Sequence, residues 1–455
     1  MTHLCQQFFS GFKDKITFFS PGERIRVFFL AITLICVTTP LLCQLKAFYP
    51  PYNVFLGARA CSLGNAFTAV ADDLSAVFWN PAGIADFLDP MVYMNWSMNR
   101  TSHIIPVQQE VEGSPSRSWK SDFSSSLKNI DFISVSAPAV FWNVRWNFAL
   151  SYYRYFPYNH DGESISQLTT EGEMTDIEKT ILAFSGKNGI DIMGFSLGVY
   201  LSEYFSIGFT WQHFFNSGTI EFRLQSGDED VITSLHEKIR GQNLIIGCML
   251  KAEKSVQLGF CYATGMNGTL SSSVHYENPG DSVIDNREDE FDLYIPPRFS
   301  MAVAIQPQKN WRLTYDFSKA FWSRASISIA GDSESEIPFP VREDYEMEQE
   351  NVVNHRLGLE INFSVEKMVF FVRGGLFWEK QLFRDGRGQG VWVKGFSAGL
   401  GAHILSQVVI DLAYMSQSAR WDEPGYFETD SWIETHFRNH VFAISVSYIF
   451  KKRTK

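Results

Sequence analysis

The sequence predicts an all-β transmembrane barrel of about fourteen antiparallel strands, and three observations carry that reading. Aromatic residues make up 15% of the 455 residues, with Phe alone occurring 40 times, yet mean hydropathy is only -0.10. Apolar residues are therefore spread thinly and evenly, as they are where lipid-facing and lumen-facing positions alternate. From Met91 onward, period 2 dominates the chain. Finally, the connections between candidate strands alternate between tiny turns and long charged segments. A soluble sandwich has no reason to do this, whereas a barrel with short turns at one rim and long loops at the other must.

Composition also excludes. One apolar run alone approaches span length, so a polytopic helical bundle is ruled out, and the aromatic content rules out a disordered chain. The net charge of -11, without a basic stripe, argues against nucleic acid as a partner.

That apolar run, residues 27–37 (VFFLAITLICV), follows Arg24 and Arg26 and is stopped by Pro40. A membrane helix needs about 20 apolar residues and a signal h-region about 7–15, so the run fits a signal. Residues 1–47 are expected to be a signal peptide with an extended n-region containing Lys13 and Lys15, cleaved between Cys43 and Ala47. Cys5, Cys36 and Cys43 belong to this leader. Cys61, Cys248 and Cys261 remain, with no CxxC or Cys/His spacing. They form neither a metal site nor a disulfide framework and read as small apolar fillers.

Residues 48–89 differ from the rest. They are rich in Ala and Gly, and residues 57–85 read GARACSLGNAFTAVADDLSAVFWNPAGIA. This is neither period 2 nor one long helix, and it predicts short helices joined by Gly and Asn-Pro turns. Pro81 fixes its own φ and pushes Asn80 out of the helical region, so Asn80 is expected as a cap or turn residue.

The strands follow, at 91–98, 130–138, 145–155, 191–201, 204–215, 242–252, 255–265, 298–306, 310–319, 354–364, 367–378, 394–404, 407–416 and 439–450. In 298–306, Phe299, Met301, Val303 and Ile305 alternate with Arg298, Ser300, Ala302, Ala304 and Gln306. Trp311, Leu313, Tyr315 and Phe317 then alternate with Arg312, Thr314, Asp316 and Ser318, and 354–364 repeats the pattern. Tiny turns are expected at Ser202-Glu203, Glu253-Lys254, Val365-Glu366 and Ser406-Gln407. The segments 99–129, 156–190, 216–241, 266–297, 320–353 and 417–438 are expected as long extracellular loops. Alternation puts Cys248 with Ile246 and Leu250 on the lipid face and Cys261 with Gln257 and Gly259 on the lumen face, so the two should not pair.

The segment at 48–89 resembles the FadL/TodX family of outer-membrane transporters for long-chain fatty acids and hydrophobic compounds. The residues that carry the resemblance are Gly57-Ala58-Arg59-Ala60, Gly64, Ala66-Phe67, Ala71-Asp72-Asp73 and Asn80-Pro81-Ala82-Gly83. Further similarity lies at Ile295-Pro296-Pro297-Arg298 and across 395–414. PorV-type barrels, which shuttle secreted proteins, share the same pattern. The resemblance implies a plug or hatch at 48–89 within a fourteen-stranded barrel at 90–455, both termini periplasmic, no enzymatic activity and no cofactor. It also implies a hydrophobic small-molecule ligand, outer-membrane lipid around a monomer, and barrel-assembly machinery as a partner in biogenesis, which the aromatic-ended last strand suits. Inside a wet lumen, Asp72 and Asp73 could be satisfied by backbone N–H groups or by a barrel Arg, which makes them anchors of the plug in the first reading and gating residues in the second. Phe67, Val70, Phe78 and Trp79 have no lipid to face, so they are expected to pack on the inner wall or line a ligand pocket.

Two GxSxG matches, Gly194-Phe-Ser196-Leu-Gly198 and Gly395-Phe-Ser397-Ala-Gly399, lie inside alternating strands. A nucleophile elbow needs a strand–turn–helix setting. Here the Gly and Ser point inward and are expected to make room for the plug.

Overall fold

The computed structural model describes residues 56–109, 117–158, 160–170, 179–226, 229–253, 255–278, 283–330, 337–338, 350–385, 387–424 and 432–451. The expected signal peptide and the start of the expected plug, 48–55, lie outside the described residues.

Fourteen antiparallel staves close into a barrel. β1 (Met91–Gln109) pairs with β2 (Arg117–Phe141) on one side and with β20 (Trp432–Ile449) on the other, which closes the wall. After β2 come β3 (Val144–Pro157), continued above a break by β4 (His160–Thr170), then β5 (Lys179–Ser202). β6 (Phe205–Phe215) is continued by β7 (Ser217–Ser226), and β8 (Glu229–Glu253) returns. β9 (Val256–Ala263) continues as β10 (Met266–Asn278), and β11 (Val283–Ile295) leads down into β12 (Arg298–Gln308). β13 (Trp311–Ala320) is topped by β14 (Ser326–Ile329) and the short β15 (Ile337–Pro338). β16 (Val352–Val365), β17 (Met368–Arg384), β18 (Gly390–Ile404) and β19 (Val408–Pro424) complete the circuit to β20.

The staves run much farther than the sequence pattern suggested. Most described residues of the six expected loops are strand, paired as tall hairpin arms rather than irregular loops. The reason is chemical. Above the apolar belt both faces turn polar, as in Ser271, Ser272 and Ser273 of β10 and Glu288, Asp289 and Glu290 of β11. The backbone ladder persists there while the apolar–polar contrast that reveals period 2 disappears. The opposite rim is also tighter than expected. β2 and β3 run on to a two-residue turn at Trp142 and Asn143, whose φ values of 50° and 59° suit a hairpin turn of the type that matches strand twist.

The breaks have local causes. Asn216, at φ 74°, interrupts the ladder between β6 and β7. Pro296 and Pro297, which lack N–H donors, part β11 from β12.

Each stave sorts its side chains as alternation requires. Met94, Leu150, Phe195, Trp211, Leu313, Phe396 and Phe442 stand exposed on the outer face, while Asn95, Ser151, Ser196, Thr210, Thr314, Ser397 and Ala443 are buried inside. Cys248 is half-buried beside exposed Ile246 and Leu250, Cys261 is buried, and both are free thiols.

Candidate functional site: the plug and its seat

Residues 56–89 fold inside the wall as two short helices, α1 (Ala58–Ser62) and α2 (Ala76–Trp79), and a 3-10 turn (Pro81–Asp86). Gly57, at φ 94°, admits the chain to α1 where a Cβ would press on Ser75 and the Tyr93 hydroxyl. Asn80 is extended, at φ -162° and ψ 100°, and caps the 3-10 turn by accepting from Ala82 N at 3.2 Å. Its amide also donates to Thr68 O at 2.8 Å and to Cys248 O of β8 at 3.1 Å. The Asn-Pro pair therefore ties the plug to itself and to the wall. Pro81 and Ala82 lie against Gly208 of β6, and Gly83 lies against the Ala71 carbonyl, each too close for a Cβ.

The wall is hollowed to receive this segment. Inward glycines on staves around the barrel meet it closely: Gly198 against the Ala85 backbone, Gly247 against the Asn80 side chain, and Gly259, Gly358 and Gly375 against the backbones of Thr68, Leu63 and Gly64. Both GxSxG segments belong to this seat. Ser397 Oγ donates to Ser62 O and accepts from Gly64 N, each at 2.9 Å, and Gly399 abuts Ser62. Ser196 bonds Thr210 at 2.8 Å, and Thr210 reaches Val77 O at 2.8 Å. Neither serine lies on a strand–turn–helix elbow.

Charge fixes one flank. Arg59 of α1 is buried and contacts Asp72 at 2.8 Å and Glu360 of β16 at 3.1 Å. Glu360 also receives Arg373 of β17 at 2.7 Å and Arg312 of β13 at 3.4 Å. Arg312 returns to Asp72 at 3.0 Å, and Arg373 reaches Asp411 of β19 at 2.6 Å. Three guanidiniums thus face three carboxylates, so no charge in the knot is left uncompensated. Burial alone would lower the Arg59 pKa, but Asp72 and Glu360 hold it above its ordinary value.

The adjacent acids divide two roles. Asp72 takes the barrel arginine. Asp73 is buried and accepts from Ser75 N at 2.8 Å and Ser75 Oγ at 2.5 Å, and burial raises its pKa to about 6. Opposite, Thr68 N donates to Asp316 of β13 at 2.9 Å.

The aromatic residues complete the packing. Phe67, Val70, Phe78 and Trp79 are all buried in one apolar cluster. Phe78 packs edge-on against Trp79 and Tyr153, with the Arg298 guanidinium 4.8 Å from its ring centroid, and Trp79 Nε1 donates to Leu56 O at 2.9 Å. Sequence reasoning did not assign Glu360, Arg312, Arg373, Asp411 or Asp316 to the site. Their signal was available: each is a charged residue at mid-strand on the small, polar face.

The lumen differs on the two sides of the plug. Toward the hairpins the same apolar cluster continues through buried Tyr158, Ile190, Phe214, Leu270, Trp322 and Trp421. Toward the short turns a cavity of about 560 Å³ is lined by Lys251, Gln257, Gln306 and Arg312, among others, and Lys251 pairs with plug residue Asp86 at 2.6 Å.

Closed wall, apolar exterior and seated N-terminal segment define a plugged β-barrel of the outer-membrane type. The family model for BamG matches residues 71–349, more than half of the chain, and the protein belongs to that family. Among solved structures it resembles a Pseudomonas aeruginosa FadL homologue, with TM-score 0.59 and 13% identity over 87% of this chain and 98% of that one. It also resembles the CymD monoaromatic hydrocarbon channel (TM-score 0.53, 11% identity, 88% and 99% covered). The Ralstonia pickettii toluene transporter TbuX gives TM-score 0.53 and 12% identity, with 88% and 100% covered. At these identities the likeness is one of fold. No curated protein matches the sequence.

Proposed function

We propose that the protein carries hydrophobic small molecules, such as long-chain fatty acids or hydrocarbons, passively across a bacterial outer membrane. The observation that carries this reading is the apolar lining on the hairpin side of the plug. An open aqueous porin would need a polar, charged lumen there. Here buried aromatic and aliphatic side chains run without a break into Phe67, Val70, Phe78 and Trp79. Each CH₂ moved from water onto such a surface gains about 0.8 kcal/mol, so a long chain can bind without many polar contacts. The plug blocks the lumen, and a shift of its Asn80–Pro81 hinge would open the way to the polar vestibule. No covalent step or cofactor is involved. The neighbours named as a hydrocarbon channel and a toluene transporter support the substrate class. In this reading the barrel works as a monomer with both termini in the periplasm, and residues 48–89 are the hatch.

The test is uptake of a labelled fatty acid and of toluene by cells that carry or lack the protein, with mass spectrometry of small molecules retained by the purified barrel. Uptake that depends on the protein supports the proposal. Equal uptake in both strains and no retained ligand would overturn it.

A structural or secretion-accessory role is the second reading, and two features favour it. The plug is bolted by a buried ionic knot, and the short-turn rim presents Leu88, Val140, Phe141 and Trp142 to solvent, with Trp142 88% exposed. Co-purification with envelope proteins, lost on Trp142→Ser, would support this second role.

A further inference from the structure

Where β6 gives way to β7, a recess of about 530 Å³ is lined by His213, Phe215, Asn216, Ser217, Lys238 and Arg240. The kink at Asn216 shapes it. It opens on the outer face. Trp211 of β6 is 43% exposed there, and His213 and Phe215 follow it at alternate positions. The three rings stack, with centroids 5.9 Å and 6.1 Å apart and planes 17° and 6° from parallel. On β8, Lys238 and Arg240 share a face with Gln242 and exposed Ile246, and Trp211 Nε1 donates to Gln242 Oε1 at 3.2 Å.

The recess has donors without acceptors. Lys238 and Arg240 have no ion pair or hydrogen bond to their side chains among the described residues. Asp191, which accepts from Asn216 at 2.7 Å, is already engaged by Arg154 at 2.8 Å and Tyr152 at 2.7 Å. His213 Nδ1 is buried without a hydrogen-bond partner, which an occupant of the recess could supply. On the far side, Thr269 and Ser271 of β10 register between Arg240 and Lys238 and the acidic stave β11.

We propose that this recess holds the phosphate of an anionic lipid in the leaflet on the hairpin side, with Lys238 and Arg240 on the phosphate and the aromatic stack along its first methylenes. Its level favours a lipid over a free anion. Exposed Ile246 and Leu250 lie below it on the same stave, and exposed Glu221, Arg223 and His236 lie above. A headgroup plane would lie at that level, where cation and apolar surface meet. The inference rests on the outer face meeting lipid and is independent of what the lumen carries.

The experiment is thermal unfolding of the purified barrel in micelles. The probes are a diphosphorylated lipid A, its dephosphorylated counterpart and inorganic phosphate. The phosphorylated lipid should stabilise the wild type, and the other two should not. Lys238→Gln with Arg240→Gln should weaken the response roughly tenfold, the scale of losing a charge-assisted contact. Lys238→Arg should keep it, and Arg420→Gln, at another exposed site, should leave it unchanged. Heat-modifiable gel mobility checks that each variant is folded. An equal response to the dephosphorylated lipid, a response to inorganic phosphate alone, or no change in the double variant would overturn the proposal.

Discussion

At the residue scale, the seat depends on atoms that are missing. Gly375 meets the Gly64 backbone with no room for a Cβ. Gly375→Val should therefore force the plug outward at a cost of about 1–3 kcal/mol. It should leave barrel mobility on gels unchanged while speeding hydrogen exchange across 56–89. Asn80→Ala removes two donor bonds and a cap, worth about 1–3 kcal/mol. This variant should insert normally and alter uptake of a labelled fatty acid, whereas unaltered uptake would detach the hinge from transport. Asp73 sets a pH dependence. Its carboxyl holds its proton up to about pH 6 when buried, against an ordinary value of 3.8. The docked state thus binds more protons than the released state between those values, and docking weakens as pH rises through that window, then levels off. Exchange protection of the plug should fall along this curve, and the part of the fall that approaches pH 6 should vanish in Asp73→Asn.

At the scale of elements, the sequence pattern and the structure part company where chemistry stops alternating. The belt portions of the strands were legible because lipid demands large apolar side chains at every second position. The hairpins above were not, because Ser, Asp, Glu and Lys on both faces leave the ladder without a signature. For the plug, Arg59, Asp72 and the Asn80–Pro81 pair stood out in the sequence. Their partners Glu360 and Arg312 did not, because no local pattern says which of many inward charges meets a segment 301 or 240 positions away. The ionic knot invites a paired comparison. Glu360 serves three arginines including Arg59, whereas Glu379 serves Arg356 at 2.8 Å within the wall. Removing one member of a buried pair costs about 3–5 kcal/mol. Glu360→Gln should free the plug, read as exchange at 56–89, and Glu379→Gln should lower barrel stability without freeing it. Equal plug exchange in the two variants would deny the knot its role as a latch.

At the scale of the molecule, the short turns and the hairpins occupy opposite rims, so each rim should be reachable from one side only. In a background lacking Cys61, Cys248 and Cys261, Arg387→Cys on the hairpin side should react with an impermeant maleimide on intact cells. Glu366→Cys, in the turn between β16 and β17, should react only after the cells are opened. The reverse pattern would invert the proposed orientation.

The glycine seat also bears on how the molecule can be made. The plug touches backbone on β5, β6 and β8 at one side and on β16, β17 and β18 at the other. At that level it fills the space that holds it, so once β20 has joined β1 it could enter only by threading in unfolded through a rim. The chain carries the stopper immediately ahead of its first stave, so a wall rolled around it would seal the β1–β20 seam last. The segment would then be a mandrel as much as the proposed gate. A barrel made from residue 90 onward and offered residues 56–89 as a separate peptide should close empty and stay so. The same peptide present while the chain folds should be found inside.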